Sequence, residues 1–327
     1  MSFSFDTPRI SVYNLGNNSD KDMNTFYFKC RESVVGENTL RMYVFTPFEL
    51  PLKKCAVIND LSGFGKCSLT AAIPIMSAMG VEVHPLLTAV LSNQTAYESF
   101  KSLSLTDTMK PFIEEWKKLG AKFDGILTGF VTDKAQLEII SDFIDEFKDE
   151  NTLVVADPIM ADNGALYDGY DMQMCDVIRE FCFKADVITP NTTELAILAN
   201  KGNFDVLNEN WVNDYSNIEK SLNVLYKKGL SKIVVTGYKE NGAISNIIFD
   251  NGEISKVTSE KVGGYFSGTG DVFSAVLTGS LLNGKSLVEA CKCAGEFITN
   301  TIKVTDVSDG NDGIAFEKTI GELISYE

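Results

Sequence analysis

From Lys53 onward, short uninterrupted apolar runs alternate with segments whose apolar residues recur at helical spacing, and no other feature constrains the fold as tightly. The runs are CAVI (55–58), VEVHPLLTAVL (81–91), GILT (125–128), LVVA (153–156), DVIT (186–189), IVVT (233–236) and SNIIF (245–249). A run without a polar face belongs to a strand covered on both sides, so the residues between such strands must supply the covering layers. Residues 133–147 place Leu137, Ile140, Ile144 and Phe147 on one helical face, and residues 215–228 do the same with Ile218, Leu222 and Leu225. The alternation predicts an α/β fold, a doubly wound, mostly parallel sheet flanked by helices. No internal repeat and no low-complexity tract interrupts it.

The runs end on polar residues: Asn59-Asp60, Thr128-Gly129, Asp157-Pro158, Thr189-Pro190-Asn191 and Thr236-Gly237. In open α/β sheets ligands bind in the crevice beyond the carboxyl ends of the strands, so five polar ends together point to a site there. Residues 1–52 stand outside this pattern. They hold a polar stretch from Asn17 to Asp22, aromatic pieces around Phe26-Tyr27-Phe28 and Tyr43-Val44-Phe45, and two prolines, Pro47 and Pro51, ahead of the first run. A small added β element and a loosely ordered extension fit this composition equally, and the segment is set apart as an N-terminal extension of unassigned role.

With 29 Lys and Arg against 45 Asp and Glu, the net charge is −16, which argues against nucleic acid and anionic membranes as partners. Charge-free stretches such as residues 71–81 reach about half of the ~20 residues a membrane-spanning helix needs. The start MSFSFDTPRI has no basic region followed by an apolar run, so a cytoplasmic location is expected. Seven scattered cysteines without a C-x-x-C pair read as reduced, mostly buried thiols. His84 is the only histidine. That removes Ser-His-Asp triads and multi-histidine metal sites, leaving acid–base chemistry to carboxylates.

Three motifs could carry that chemistry. In Phe266-Ser267-Gly268-Thr269-Gly270-Asp271, glycines around a threonine let backbone N–H groups turn inward, and the apolar VFSAVL that follows opens a helix. A helix N-terminus carries partial positive charge, so this is an anion cradle. Asp271 in its first turn can serve as a general base toward a hydroxyl beside a phosphate, or simply as a helix N-terminal carboxylate. In Thr189-Pro190-Asn191-Thr192-Thr193-Glu194, the residues Asn191 and Glu194 either join Asp157 around a hydrated Mg²⁺ or phosphate, or form a capping box. The loop Asn59-Asp60-Leu61-Ser62-Gly63-Phe64-Gly65-Lys66-Cys67-Ser68 fails as a P-loop, with Asp60 in place of the first glycine and Cys67 after Lys66. It fails as a dinucleotide fingerprint as well, with Ser68 in the last place and Glu82 inside the next strand. A Gly-rich loop open to a substrate remains.

Taken together, INDLSGFGKCSLT, LSNQTAYESF, VVADPIMADNGALY, ITPNTTEL and FSGTGDVFSAVLTG resemble, in order and spacing, the pyridoxal (pyridoxine, pyridoxamine) kinases of the ribokinase-like superfamily. The resemblance covers residues 53–327, and the first loop is similar to that of a bacterial pyridoxamine-kinase branch. It implies a ribokinase-like kinase domain that transfers the γ-phosphate of ATP to the 5′-hydroxymethyl group of a B6 vitamer. It also implies Mg²⁺, a monovalent cation such as K⁺, and a homodimer. By position, it implies that Asp271 is the catalytic base, with Gly268, Thr269 and Gly270 as the anion hole. Asp157, Asn191 and Glu194 match the Mg²⁺ and phosphate positions, Asp157 and Glu194 being the metal pair. Thr189, Thr236 and Gly237 match contacts to ATP, and Tyr167 matches an aromatic on the flap that closes over it. Asp60, Ser62, Thr95 and Phe130 match the pocket for the B6 ring. Asp60 stands where a Ser often sits and Phe130 where a Tyr often sits, so the vitamer is left open.

Three alternatives accompany this reading. Hydroxymethylpyrimidine kinases of the same superfamily commonly carry an A-G-S-D-S-S-G-G-A-G loop and often Cys at the base position, and this chain has neither. Sugar or nucleoside kinases share GTGD but usually add a Gly-Gly-x-x-x-Asn loop. A non-catalytic B6 or nucleotide sensor would have no need of Asp271.

Overall fold

In the computed structural model of the chain, the seven apolar runs lie in one nine-stranded sheet. The structure describes residues 52–201, 207–306, 308 and 310–324 and, before them, the strands β1 (Ser11–Tyr13), β2 (Phe26–Arg31) and β3 (Leu40–Phe45). The chain divides into two compact units, residues 1–52 and 53–327. In the first, β1, β2 and β3 pair antiparallel in that order, with Phe26 opposite Phe45.

The second unit contains β4 (Lys53–Ser62), β5 (Val81–Leu91), β6 (Ser102–Ser104), β7 (Gly125–Thr128), β8 (Leu153–Ala156), β9 (Ala161–Asp162), β10 (Ala165–Leu166), β11 (Val187–Ile188), β12 (Lys232–Glu240), β13 (Ala243–Asp250) and β14 (Glu253–Glu260). Its helices are α1 (Ser68–Ala78), α2 (Thr106–Lys118), α3 (Lys134–Phe147), α4 (Met172–Cys182), α5 (Thr192–Ala199), α6 (Glu209–Val212), α7 (Tyr215–Lys227), α8 (Thr269–Leu282) and α9 (Leu287–Val304). The sheet order is β14-β13-β12-β11-β8-β7-β4-β5-β6, parallel from β12 to β5 and antiparallel at both edges.

Successive residues of the central strands face opposite sides, which is why the runs have no polar face. On β4, Ala56 and Ile58 join the core under α2, α3, α4, α5 and α7, whereas Cys55 and Val57 join the core under α1, α8 and α9. The same alternation divides Ile126 from Leu127, Val154 from Val155, and Ile233 from Val234. His84 stacks edge-on against Trp116 and Phe123 and lies 3.2 Å from Glu82, a packing role. The six cysteines with described side chains are free thiols, five of them buried. Among the described residues no helix is long and apolar enough to cross a membrane.

The run at residues 245–249 belongs to β13, which is antiparallel, unlike the central strands. The reason is local: Asn241-Gly242 and Asn251-Gly252 take left-handed conformations, with φ of 51° and 79° and of 51° and 98°. Such pairs close tight hairpins, so β12, β13 and β14 form a meander where crossovers had built the rest.

From β4 the chain crosses to β5 on one side, and β7, β8 and β11 then build out on the other. The order reverses between β4 and β7, and a crevice opens at their carboxyl ends. Ile58, fully buried beside Thr128 across that seam, ties the two halves together. Ile58→Ala should cost about 2–5 kcal/mol of unfolding free energy, read from the urea midpoint at unchanged slope.

Candidate active site

Helix α8 stands over the crevice on the strength of one close approach. Its cap, Gly268, is left-handed with φ 75°, and a Cβ there would lie 2.2 Å from the Lys66 carbonyl oxygen. No side chain caps this helix end, so the N–H groups of Thr269, Gly270 and Asp271 keep their partial positive charge for a ligand. The approach is open, since nothing lies within 4 Å of where a Gly270 Cβ would be.

Asp271 is the third residue of α8 and half-buried. Asn59 Nδ2 donates to its Oδ1 at 3.3 Å. Burial raises its pKa to about 6, the charge of Asp60 adds to the rise, and hydrogen bonds from the Ser68 backbone and Asn59 oppose it. The group thus titrates near neutrality, where a base both accepts and releases a proton readily. Beneath it, buried Asp60 accepts from Ser62 Oγ at 2.9 Å and Ser68 Oγ at 2.5 Å, and burial raises its pKa too.

A second acidic group lies at the ends of β8 and β11. Ser274, one turn beyond Asp271 on α8, donates to Asp157 Oδ2 at 2.8 Å, and its oxygen lies 3.2 Å from Thr189 Oγ1. Burial and then repulsion from Asp271 push the Asp157 carboxyl up to about 7. Glu194, 3% exposed, is raised well above its ordinary range by burial and by Asp157. Among the described residues no three His, Cys, Asp or Glu side chains cluster to hold a metal. The pair Asp157 and Glu194 nonetheless has the hard oxygen donors Mg²⁺ takes, and a cation there would relieve the repulsion that raises both.

The remaining residues named from the sequence fall along the same row of strand ends. Asn191 and Glu194 form the capping box of α5: Asn191 Oδ1 accepts from the N–H groups of Thr193 and Glu194, both at 2.9 Å, and Glu194 Oε2 from that of Asn191 at 2.8 Å. The Asn191 oxygen is therefore committed to the helix. Thr236 donates its N–H to the Pro190 carbonyl at 2.9 Å, and Gly237 occupies the bulge of β12. Tyr167 follows the β9–β10 hairpin, which Gly164 N–H ties to Thr193 Oγ1 at 3.0 Å. Burial and the charges of Glu194 and Asp162 raise the pKa of its phenol. Phe130 donates its N–H to Asn59 Oδ1 at 2.9 Å, and its ring lies 6.3 Å from that of Tyr170. Thr95 is exposed in the turn beyond β5. Residues named for nucleotide thus lie at the ends of β8, β11 and β12, those named for an acceptor at the ends of β7, β4 and β5, and α8 stands between.

Sequence reasoning assigned no role to Asn59, Gly129 or Ser274. Asn59 was visible as a polar strand end, and Ser274 had only its i, i+3 spacing from Asp271 as a signal. Gly129 stood in the strand end Thr128-Gly129, but nothing there showed that it must be bare: a Cβ would lie 2.4 Å from Asn59 Nδ2, a contact between strands that no local pattern encodes.

Comparison with known proteins matches residues 67–315 to a family model described as phosphomethylpyrimidine kinase. A putative phosphomethylpyrimidine kinase from Bacteroides thetaiotaomicron, crystallised in a rhombohedral form, superposes with a TM-score of 0.79 at 39% identity, over 86% of this chain and 97% of that one. Its orthorhombic form with pyridoxal gives 0.75 at 40% identity, over 84% and 96%. A curated pyridoxal kinase from Dictyostelium discoideum is 28% identical, over 79% of this chain and 87% of its own length.

Removing the charge at position 157 tests the acidic cluster without any assay. Because the folded pKa of Asp157 is raised, the carboxylate destabilises the fold above pH 7, and stability returns as pH falls from about 7 toward the unfolded value. Asp157→Asn should therefore raise Tm at pH 8 by ~2–4 °C, and this gain should shrink toward pH 5. A Tm gain independent of pH would mean that Asp157 carries no such strain.

Proposed function

The chain belongs to the phosphomethylpyrimidine kinase family, and on that premise we propose that it phosphorylates the 5′-hydroxymethyl group of a vitamin B6 vitamer with ATP. The observation that carries the reading is a base titrating near neutrality in the first turn of a helix whose N-terminus no side chain caps. An acceptor hydroxyl and a phosphoryl group are thereby served by one element. That the Bacteroides relative was crystallised with pyridoxal supports the acceptor. The chemistry is assigned to residues 53–327, with residues 1–52 an N-terminal extension.

In this reading Asp271 takes the proton of the 5′-hydroxyl as the hydroxyl oxygen bonds to the γ-phosphorus and the bond from that phosphorus to the β-phosphate oxygen breaks, with ADP leaving. The N–H groups of Gly268, Thr269 and Gly270 face the charge that gathers on the transferred group. Asp157 and Glu194 would hold Mg²⁺, which neutralises charge on the phosphates. Thr189, Asn191, Thr236 and Gly237 line the nucleotide end, and Tyr167 closes over it to exclude water. Asp60, Ser62, Thr95 and Phe130 line the acceptor end. A cytoplasmic homodimer that uses a monovalent cation such as K⁺ completes the proposal on the strength of the resemblance. Light scattering and replacement of K⁺ by choline test those two parts.

The family's description adds phosphomethylpyrimidine to the hydroxymethylpyrimidine alternative as a second class of acceptor. ADP release with Mg-ATP should be followed beside pyridoxal, pyridoxamine, pyridoxine, hydroxymethylpyrimidine and phosphomethylpyrimidine. A B6 vitamer is expected to turn over, with the highest kcat/KM. Preference for either pyrimidine would overturn the acceptor, and silence with all five would overturn the kinase.

Asp271→Asn should lower kcat by ~10²-fold or more with ATP binding retained. In the wild type, kcat/KM should fall as pH drops below about 6, where Asp271 becomes protonated. Loss of ATP affinity in parallel with turnover would remove Asp271 from the role of base.

A further inference from the structure

We propose that Asn59 is a positioning residue for Asp271, its side-chain amide fixing the carboxylate from which the reaction draws its base; this rests on the kinase reading above. Asn59 follows the apolar run of β4 at the reversal point of the sheet and is 5% exposed. Its Oδ1 accepts two backbone N–H groups, from Asp60 at 3.0 Å and from Phe130 at 2.9 Å. Those two donors decide which way the amide points. A flipped amide would set its NH₂ against two N–H groups, so the oxygen must face β4 and β7 and the nitrogen must face Asp271. Nδ2 then donates to Asp271 Oδ1 at 3.3 Å.

Gly129 completes the device. A Cβ at that position would lie 2.4 Å from Nδ2 and 2.7 Å from Cγ of Asn59, so the amide occupies the space a side chain would need. Two strands thus clamp one amide, and the amide presents a neutral donor to a carboxylate on a helix 212 residues away in sequence. A neutral donor suits a base: it favours the ionised form and fixes its orientation, yet leaves it weak enough in acidity to take a proton. It works against burial and against the charge of Asp60, the two influences that raise Asp271. The titratable groups facing Asp271 are Asp60 on β4, Cys67 ahead of α1 and Asp157 beyond β8.

A structural role for Asn59, bridging β4 to the loop after β7, needs only an acceptor. Asn59→Asp keeps that acceptor for both N–H groups, and replaces the donor with a second carboxylate oxygen facing Asp271. If Asn59 positions Asp271, Asn59→Asp should retain KM for ATP and acceptor within about threefold, lose ~10-fold or more in kcat, and add no further loss in an Asp271→Asn background. Unchanged kcat, or losses that multiply in the double variant, would overturn the proposal. A second readout needs no turnover: ¹³C NMR titration of the Asp271 carboxyl should move its midpoint upward by about one unit in Asn59→Asp. Coincident titrations would overturn the positioning role whatever the acceptor, whereas a wild type that turns over no acceptor while the titrations separate would defeat the kinase reading alone.

Discussion

The geometry of the site depends on the approach of α8 to the loop after β4, which a residue with no side chain at position 268 makes possible. With a backbone carbonyl 2.2 Å from where a Cβ would sit, neither strand loop nor helix could keep its place around any other residue. That contact aims the helix N-terminus across the strand ends. Val272, Phe273 and Val276 behind it pack into the core shared with α1 and α9, so the aim is held by buried apolar area. Everything the site uses on α8 follows in register: the open N–H groups first, then Asp271, then Ser274 one turn on.

The second constraint is electrostatic. Asp60 on β4, Asp157 beyond β8, Glu194 in the first turn of α5 and Asp271 in the first turn of α8 are withdrawn from water, and burial is the leading cause of the raised pKa in all four. A fold concentrating acids in this way gives up stability at neutral pH, recovering it only when cations or protons enter. Donors limit the cost without neutralising the charge: Ser62 and Ser68 on Asp60, Ser274 on Asp157, backbone N–H groups on Glu194, and Asn59 on Asp271. In a chain with a single histidine, itself packed against Trp116 and Phe123, the raised carboxylates with their neutral donors are the groups to which the proposed function assigns acid–base chemistry.

The central strands were legible because burial on both faces leaves an unmistakable mark in composition: VVA before Asp157 and AVI before Asn59 admit no other reading. Helices α3 and α7 were legible through their spacing, and the structure adds Asp133 and Asp214 as their caps. The edge was read less well. Residues 245–249 share the composition of a buried parallel strand, and only the Asn-Gly turns on either side reveal the meander. Asn191 and Glu194 illustrate another limit, since a capping box and a ligand pair call for the same residues at the same spacing, and here Asn191 spends its oxygen on the cap.

By itself the sequence determined the α/β class, the strand ends that carry the polar residues, and the glycine-flanked turn that opens α8, because each is written in periodicity or in a short run of neighbours. Only the tertiary structure decided that Asn59 reaches Asp271, that Ser274 holds Asp157, and that Gly129 must be bare beside Asn59. Such pairings join residues far apart in the chain, and the packing angle of a helix on a sheet, which no local pattern contains, sets which of them meet.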